Sequence, residues 1–331
     1  MDLDAYTAAH RDEWDRLAQL GKQRSFSGAE ADELIDRYQS GASQLSAIRS
    51  TAGESLQGER LSLYLSRARL RFTGTSSNVL SRMPDFFVRQ VPAALYRIRW
   101  ASLVVTLASL VIAALYFIWI TGEPRILQTL ADEAGLEQYA KEDFVNYYSE
   151  YSGSSFTATV WTNNAWLATQ AVAFGIVGVY TPYLIITNAA SIGQMGAIMA
   201  QYDRLDVFFL FILPHGQLEL YSIFVAGAAG MSIFWSWIAP GSKTRLQSLA
   251  AGGRSLIIVS VGLTMALLLS GLVEGFVTRQ PWPPAIKIGI GTVALLSFLA
   301  YQWILGGRAH RAGITGDLDE FEGGATQLTA G

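Results

Sequence analysis

The chain has 331 residues, 51% of them apolar and only 15% charged, with a formal net charge of -3 and no cysteine. No face or tail is strongly basic, which excludes nucleic-acid binding, and the lack of cysteine excludes a disulfide framework, a thiolate metal site and a cysteine nucleophile. The apolar excess over a soluble average lies in later stretches almost free of charge, while residues 1–99 hold more than half of the basic side chains, so a soluble segment is joined to a membrane segment.

The first residues, Met1, Asp2, Leu3 and Asp4, are acidic with no apolar run after them, so a cleavable signal peptide is not expected. Residues 4–24 place Tyr6, Trp14, Leu17 and Leu20 at helical spacing. A second helix opens at Ser27, with Glu30 three positions on as a capping box, and its apolar stripe includes Leu34, Tyr38, Leu45 and Ile48. A third, over 61–72, carries Arg67, Arg69 and Arg71. Three amphipathic helices suggest a small cytoplasmic bundle. Residues 83–92, followed by Tyr96, Arg97, Arg99 and Trp100, mix aromatic and arginine side chains as an interfacial elbow helix does at headgroup level.

Residues 101–120 carry no charge and are long enough, at 1.5 Å per residue, to cross a hydrocarbon core of roughly 30 Å. Arginines crowd the residues before them, so the positive-inside rule puts the N-terminus in the cytoplasm. In residues 121–162 acidic side chains outnumber Arg125 and Lys141, as expected of an outer loop. Its Tyr147, Tyr148, Tyr151 and Phe156 suit a satellite hydrophobic cluster over the bundle better than a glycan-contacting surface. Asn163 and Asn164 open a second span that ends near residue 187.

Residues 240–254, with Lys243, Arg245 and Arg254 and no acid, read as cytoplasmic. Residues 188–238 must therefore leave and return, as two crossings or a re-entrant hairpin. Gly193/Ala197 and Gly196/Ala200 are small-xxx-small pairs suited to close helix packing. The return leg, 206–238, would be about 50 Å long as one helix, and Pro214, beside Gly216, predicts a break between a short 207–213 piece and a main span. Spans over 255–277 and 285–305 follow, with Lys287 placed to snorkel, and then a polar, Gly-rich tail expected to be disordered. The expectation is an all-α, polytopic membrane helical bundle of about six membrane-embedded segments, one broken or re-entrant. It divides into a helical region at 1–99, a transmembrane bundle at 100–305 and a tail at 306–331.

The most informative string is Leu213-Pro214-His215-Gly216-Gln217-Leu218-Glu219-Leu220. His215 and Glu219, four apart, share a helical face, and Glu274 sits in a second apolar span. A charged side chain at a bilayer centre costs roughly 2.5–3.5 kcal/mol on insertion scales, so such groups face the bundle interior or water and have partners. Counting from the cytoplasmic loops puts His215, Glu219 and Glu274 near the outer ends of their helices, where a helix N-terminus favours anions. Asn163 and Asn164 fall at the same level and Asn188 at the inner side. Three roles are open to this cluster. It can hold helices together by hydrogen bonds. It can bind a metal, since one His with two carboxylates is an acceptable Zn²⁺ set with a position left for water, although short of a metalloprotease signature. It can line a proton or solute pathway. No other cofactor is expected. Gly175 to Gly178 and Gly289 to Gly291 read as helix-packing glycines, and His10 and His310 lie in polar surroundings.

The His215-Gly216 to Glu219 string, the small-residue stretch ending at Gly230, the Pro240-Gly241 turn with Arg245, and Glu274 resemble the stage II sporulation protein M family of bacterial membrane proteins. Glu13-Trp14-Asp15-Arg16-Leu17 and Glu30-Ala31-Asp32-Glu33-Leu34 are similar to actinobacterial-type members, and Asn188-Ala189 departs from a frequent Asn-Gly. The resemblance implies a multi-pass protein of the bacterial inner membrane. It further implies a scaffold of the cell-envelope, division or sporulation machinery, because the founding member anchors peptidoglycan hydrolases at the septal membrane. The partners implied are the bilayer, other membrane or envelope proteins and, through the small-residue seams, a second copy as a homodimer. An intramembrane metal-dependent hydrolase using His215, Glu219 and Glu274, and a small-solute or lipid transporter, are the alternatives.

Overall fold

The computed structural model describes residues 3–23, 25–52, 55–72, 83–148, 153–242 and 244–317. Every element among them is helical, and they fall into two compact units divided between Met83 and Pro84.

The first unit is built from α1 (Leu3–Leu20), α2 (Gly28–Ala52) and α3 (Leu56–Phe72). The expected stripes form its core: Trp14, Leu17 and Leu20 pack with Leu34 and Ile48 of α2 and Leu61, Leu65 and Ala68 of α3. Each fully buried leucine contributes about 1.5–3 kcal/mol. At the start of α2 the Glu30 amide donates to Ser27 Oγ at 3.3 Å and the Ser27 amide donates to Glu30 Oε2 at 2.9 Å, which completes the capping box. The third helix begins earlier than its apolar stripe predicts, because Ser55 Oγ accepts from the Gly58 amide at 3.2 Å and serves as an N-cap. Trp14 Nε1 donates to Gln44 Oε1 at 2.6 Å, so the buried indole N–H is satisfied.

The second unit opens with α4 (Val91–Arg97), which follows a π-helical turn at Phe86–Gln90. Its face from Val91 to Leu95 is buried in protein, and the Cβ position of Gly262 lies 2.6 Å from Val91. This stretch thus packs one side on the core, while Val88, Arg89, Arg97 and Trp100 stay exposed. Then come α5 (Arg99–Gly122), short helical turns over 124–147, α6 (Gly153–Ala173), α7 (Tyr180–Gln201), α8 (Leu205–Ile238), α9 (Arg245–Val273) with a π turn at Glu274–Thr278, and α10 (Pro284–Ala300), which runs on to α11 (Gly306–Arg311). Among the described residues, α5, α7, α8, α9 with its π turn, and the run from α10 to Arg311 are long and apolar enough to cross a membrane. The chain is an all-α polytopic membrane protein. Long α8 is the axis, packed against α5, α6, α7, α9 and α10.

Three expectations about the spans are corrected. The second span is not one helix over 163–187. The chain turns at Phe174–Val177 and Gly178, whose φ of +80° stops α6, and Pro182 sits in the first turn of α7. A Gly followed shortly by Pro is a stop-and-start pair, hidden here by the unbroken apolar sequence around it. The expected break at Pro214 does not occur either, and α8 is continuous. Its excess length is covered by protein, since Phe208 and Phe211 pack on Phe144 of the 124–148 segment. The weakened turn is tied to α10 instead: Gln217 Nε2 donates to Leu213 O at 3.0 Å and to Thr292 Oγ1 at 3.1 Å. The tail after residue 305, expected to be disordered, is helical to Arg311 and docked as far as Asp317, and its residues 318–331 lie outside the described residues. Arg254 holds Asp317 at 2.6 and 3.1 Å, and Ser255 Oγ donates to Gly316 O at 2.9 Å.

Small residues set the helix spacing. A Cβ on Gly193 would lie 2.2 Å from Ala113 O of α5, one on Gly230 2.0 Å from Ala171 O of α6, and one on Gly291 2.1 Å from Pro214 O of α8. The Gly193 seam, offered above as a homodimer contact, is therefore filled within the chain. Lys287 does not snorkel. It is buried, donating from Nζ to Thr278 O at 3.0 Å.

Candidate functional site

Continuous α8 places His215 and Glu219 on one face, one turn apart. The π turn at Glu274–Thr278 ends α9 beside them, and a π turn inserts an extra residue that re-aims the side chains it carries. Glu274 and Thr278 are both buried as a result. One coordinating atom each from His215, Glu219 and Glu274 fits within 4.8 Å of the others.

His215 presents Nδ1 to Thr278 and Nε2 to Glu274. Thr278 Oγ1 donates to Val273 O at 3.4 Å, which leaves its lone pair for His215 Nδ1, 3.3 Å away. In the tautomer with Nδ1 protonated toward Thr278, Nε2 carries the free lone pair. Nε2 lies 3.5 Å from Glu274 Oε1. Ser270 Oγ donates to His215 O at 3.0 Å and pins the α8 backbone to α9. Ser270 of α9 and Asn164 of α6 lie beside the Glu219 carboxyl, within reach of it. Glu274 Oε2 and Asn188 Oδ1 are buried with no hydrogen-bond partner among the described residues.

His215 and Glu274 are 4% and 3% exposed, yet the cluster is not sealed. With Glu219 it lines a cavity of about 860 Å³. Asp143, Asn146, Tyr147 and Asn163 also line it and are exposed, so the cavity reaches the surface at the end of the unit bearing the 124–148 segment. Tyr148 forms a wall, its ring centroid 6.0 Å from that of His215. Burial first, then the Glu274 and Glu219 charges, push its hydroxyl well above the usual range, so it remains a protonated donor. In the other direction Ser222 to Gly230 of α8 are buried without interruption.

The structure thus brings His215, Glu219 and Glu274 together from two helices, with Asn163 and Asn164 on the same cavity. Asn188 is not at the opposite side, as expected. Because the chain reverses at 174–179 and not at 188, Asn188 falls well inside α7 and borders a smaller cavity with Asn164, His215 and Glu219. Pro214 and Gly216 flank His215 and are buried. Thr278 and Ser270 were missed by sequence reasoning. Thr278, four residues after Glu274, could have been found as a neighbour on the same helical face, but Ser270 owes its place to the tertiary packing. The aromatic cluster forms as expected, with Tyr147 and Tyr148 against Phe156. It also walls the cavity, which its sequence did not announce. Tyr151 lies outside the described residues.

A family model described as Stage II sporulation protein M matches residues 102–279, a stretch that holds every residue of this cluster, and one described as a domain of unknown function (DUF8413) matches residues 4–74. No curated protein and no solved structure matches the chain.

Proposed function

Because the chain belongs to the stage II sporulation protein M family, we propose that it is a scaffold of the bacterial cell-envelope, division or sporulation machinery, which docks partner proteins on its first unit and anchors them to the inner membrane. The observation that carries this reading is the pairing of a three-helix unit having its own closed core with a second unit that supplies the spans. Charge supports the orientation. Arg97, Arg254, Arg308 and Arg311 gather with the docked tail, away from the acidic 124–148 segment, and the arginine end belongs in the cytoplasm. In-cell cross-linking tests it. A chain lacking residues 1–83 should still insert and should lose the partners captured by the full chain; an unchanged set of partners would overturn the scaffold reading.

A second reading is favoured by the convergence of His215, Glu219 and Glu274 at the base of a surface-connected cavity: hydrolysis of a lipid or envelope substrate. Glu219→Gln would then abolish turnover of extracted envelope lipids while leaving the cross-links intact.

A further inference from the structure

We propose that His215, Glu219 and Glu274 bind one divalent transition-metal cation, zinc or manganese, taken up through the cavity beside Tyr147 and Tyr148. The inference rests on the geometry of the site alone and holds whether the chain is a scaffold or a hydrolase.

The first argument is the pairing of like groups. His215 Nε2 and Glu274 Oε1 face each other 3.5 Å apart, and in the tautomer with Nδ1 protonated toward Thr278, with Glu274 ionised, both are acceptors. Two acceptors facing each other at that distance are stabilised by a cation between them. Two tetrahedral ligands each about 2.0–2.2 Å from a zinc ion stand roughly 3.3–3.5 Å apart, so the spacing already matches. The third ligand atom, from Glu219, comes from the next turn of α8, on the face that His215 occupies, and all three fit within 4.8 Å.

The second argument is independent of the first. Glu274 is buried, lines the cavity, and its Oε2 has no hydrogen-bond partner among the described residues. Leaving such an oxygen without a partner is costly, and a cation reached through the cavity supplies one. The charge of the cavity chooses the sign of the ligand. Asp143, Glu219 and Glu274 line it and, among the described residues, no Lys or Arg does, so an anionic headgroup or free phosphate would meet carboxylates with no cationic side chain to offset them. One imidazole with two carboxylates suits zinc or manganese better than calcium, which takes six to eight oxygen ligands. The cavity leaves room for water on the open coordination positions. Asn164 lies beside Glu219, outside the ligand set, and is a positioning residue.

The test uses the full chain purified in detergent or nanodiscs, stripped with chelator and reloaded with Zn²⁺, Mn²⁺, Co²⁺, Ca²⁺ or Mg²⁺ singly. Elemental analysis should find one zinc or manganese per chain, with a rise in Tm on loading. Glu274→Gln should lose the bound equivalent while the chelated protein keeps its Tm. Asn164→Ala should keep the equivalent with affinity about ten- to a hundredfold weaker. The Co²⁺-loaded protein should show visible d–d absorption that Glu274→Gln removes while its Tm without metal matches that of the native chain. Wild-type protein that binds no cation at stoichiometry, or binds one equally well in Glu274→Gln, overturns the proposal and leaves a proton shared between His215 and Glu274. Partner capture by the first unit is unaffected either way, so failure here is distinct from failure of the scaffold reading.

Discussion

Gly230, Gly193 and Gly291 matter for what they lack. Each faces a backbone carbonyl of another helix at a distance no Cβ tolerates, and backbone cannot rotate away as a side chain does. Gly230→Ala should therefore destabilise the chain by about 1–3 kcal/mol, read as a fall in Tm in detergent. Gly253→Ala is the control, because its Cβ would meet nothing within 4 Å and alanine is the better helix former, so Tm should hold or rise. Glu33 shows a charge effect on the same scale. Hydrogen bonds from Arg16, then from Arg37, hold its carboxyl down to about 2. A lowered value in the folded state means stabilisation that is complete above the ordinary carboxylate range, near 4.5, and is lost as pH falls toward 2. Glu33→Gln should accordingly flatten the loss of Tm between pH 5 and pH 3 relative to the native chain, and an equal loss in both would refute that account.

At the level of elements, the informative ones are those whose ends are set by a neighbour. The turn between α6 and α7 depends on Gly178 at φ +80°, where a Cβ would also lie 2.4 Å from the Phe234 ring. Gly178→Ala thus combines backbone strain with a clash, and should lower Tm by more than Gly253→Ala in a side-by-side melt. By contrast α8 keeps its helix through Pro214 because α10 supplies Gln217 with a partner in Thr292 and fits Gly291 against the Pro214 carbonyl. Helix propensity alone argues for a break there. Packing overrides it.

For the whole molecule, the arrangement to test is which way the spans run. The chain has no cysteine, so single substitutions give a clean background for a membrane-impermeant maleimide. Glu133→Cys should be labelled in intact spheroplasts, and Ser242→Cys only after permeabilisation. The reverse pattern would place the cavity mouth in the cytoplasm and remove an outer-side ligand from consideration.

Much of this was legible from residue order. Apolar periodicity marks α1 and α2, because burial of a helix face leaves its period in the sequence, uncharged apolar length marks the membrane spans, and the Ser27–Glu30 cap is a local device readable from its spacing. His215 and Glu219 share a face by helical arithmetic alone. What order could not decide is where a uniformly apolar run reverses, whether Pro214 breaks its helix, and how far the tail stays docked, since each depends on a group distant in sequence: Phe234, Gly291 and Arg254. The approach of Glu274 to His215 is of the same kind. Those residues lie on separate helices, and only the packing of α9 on α8, with the π turn at its end, brings their side chains to 3.5 Å.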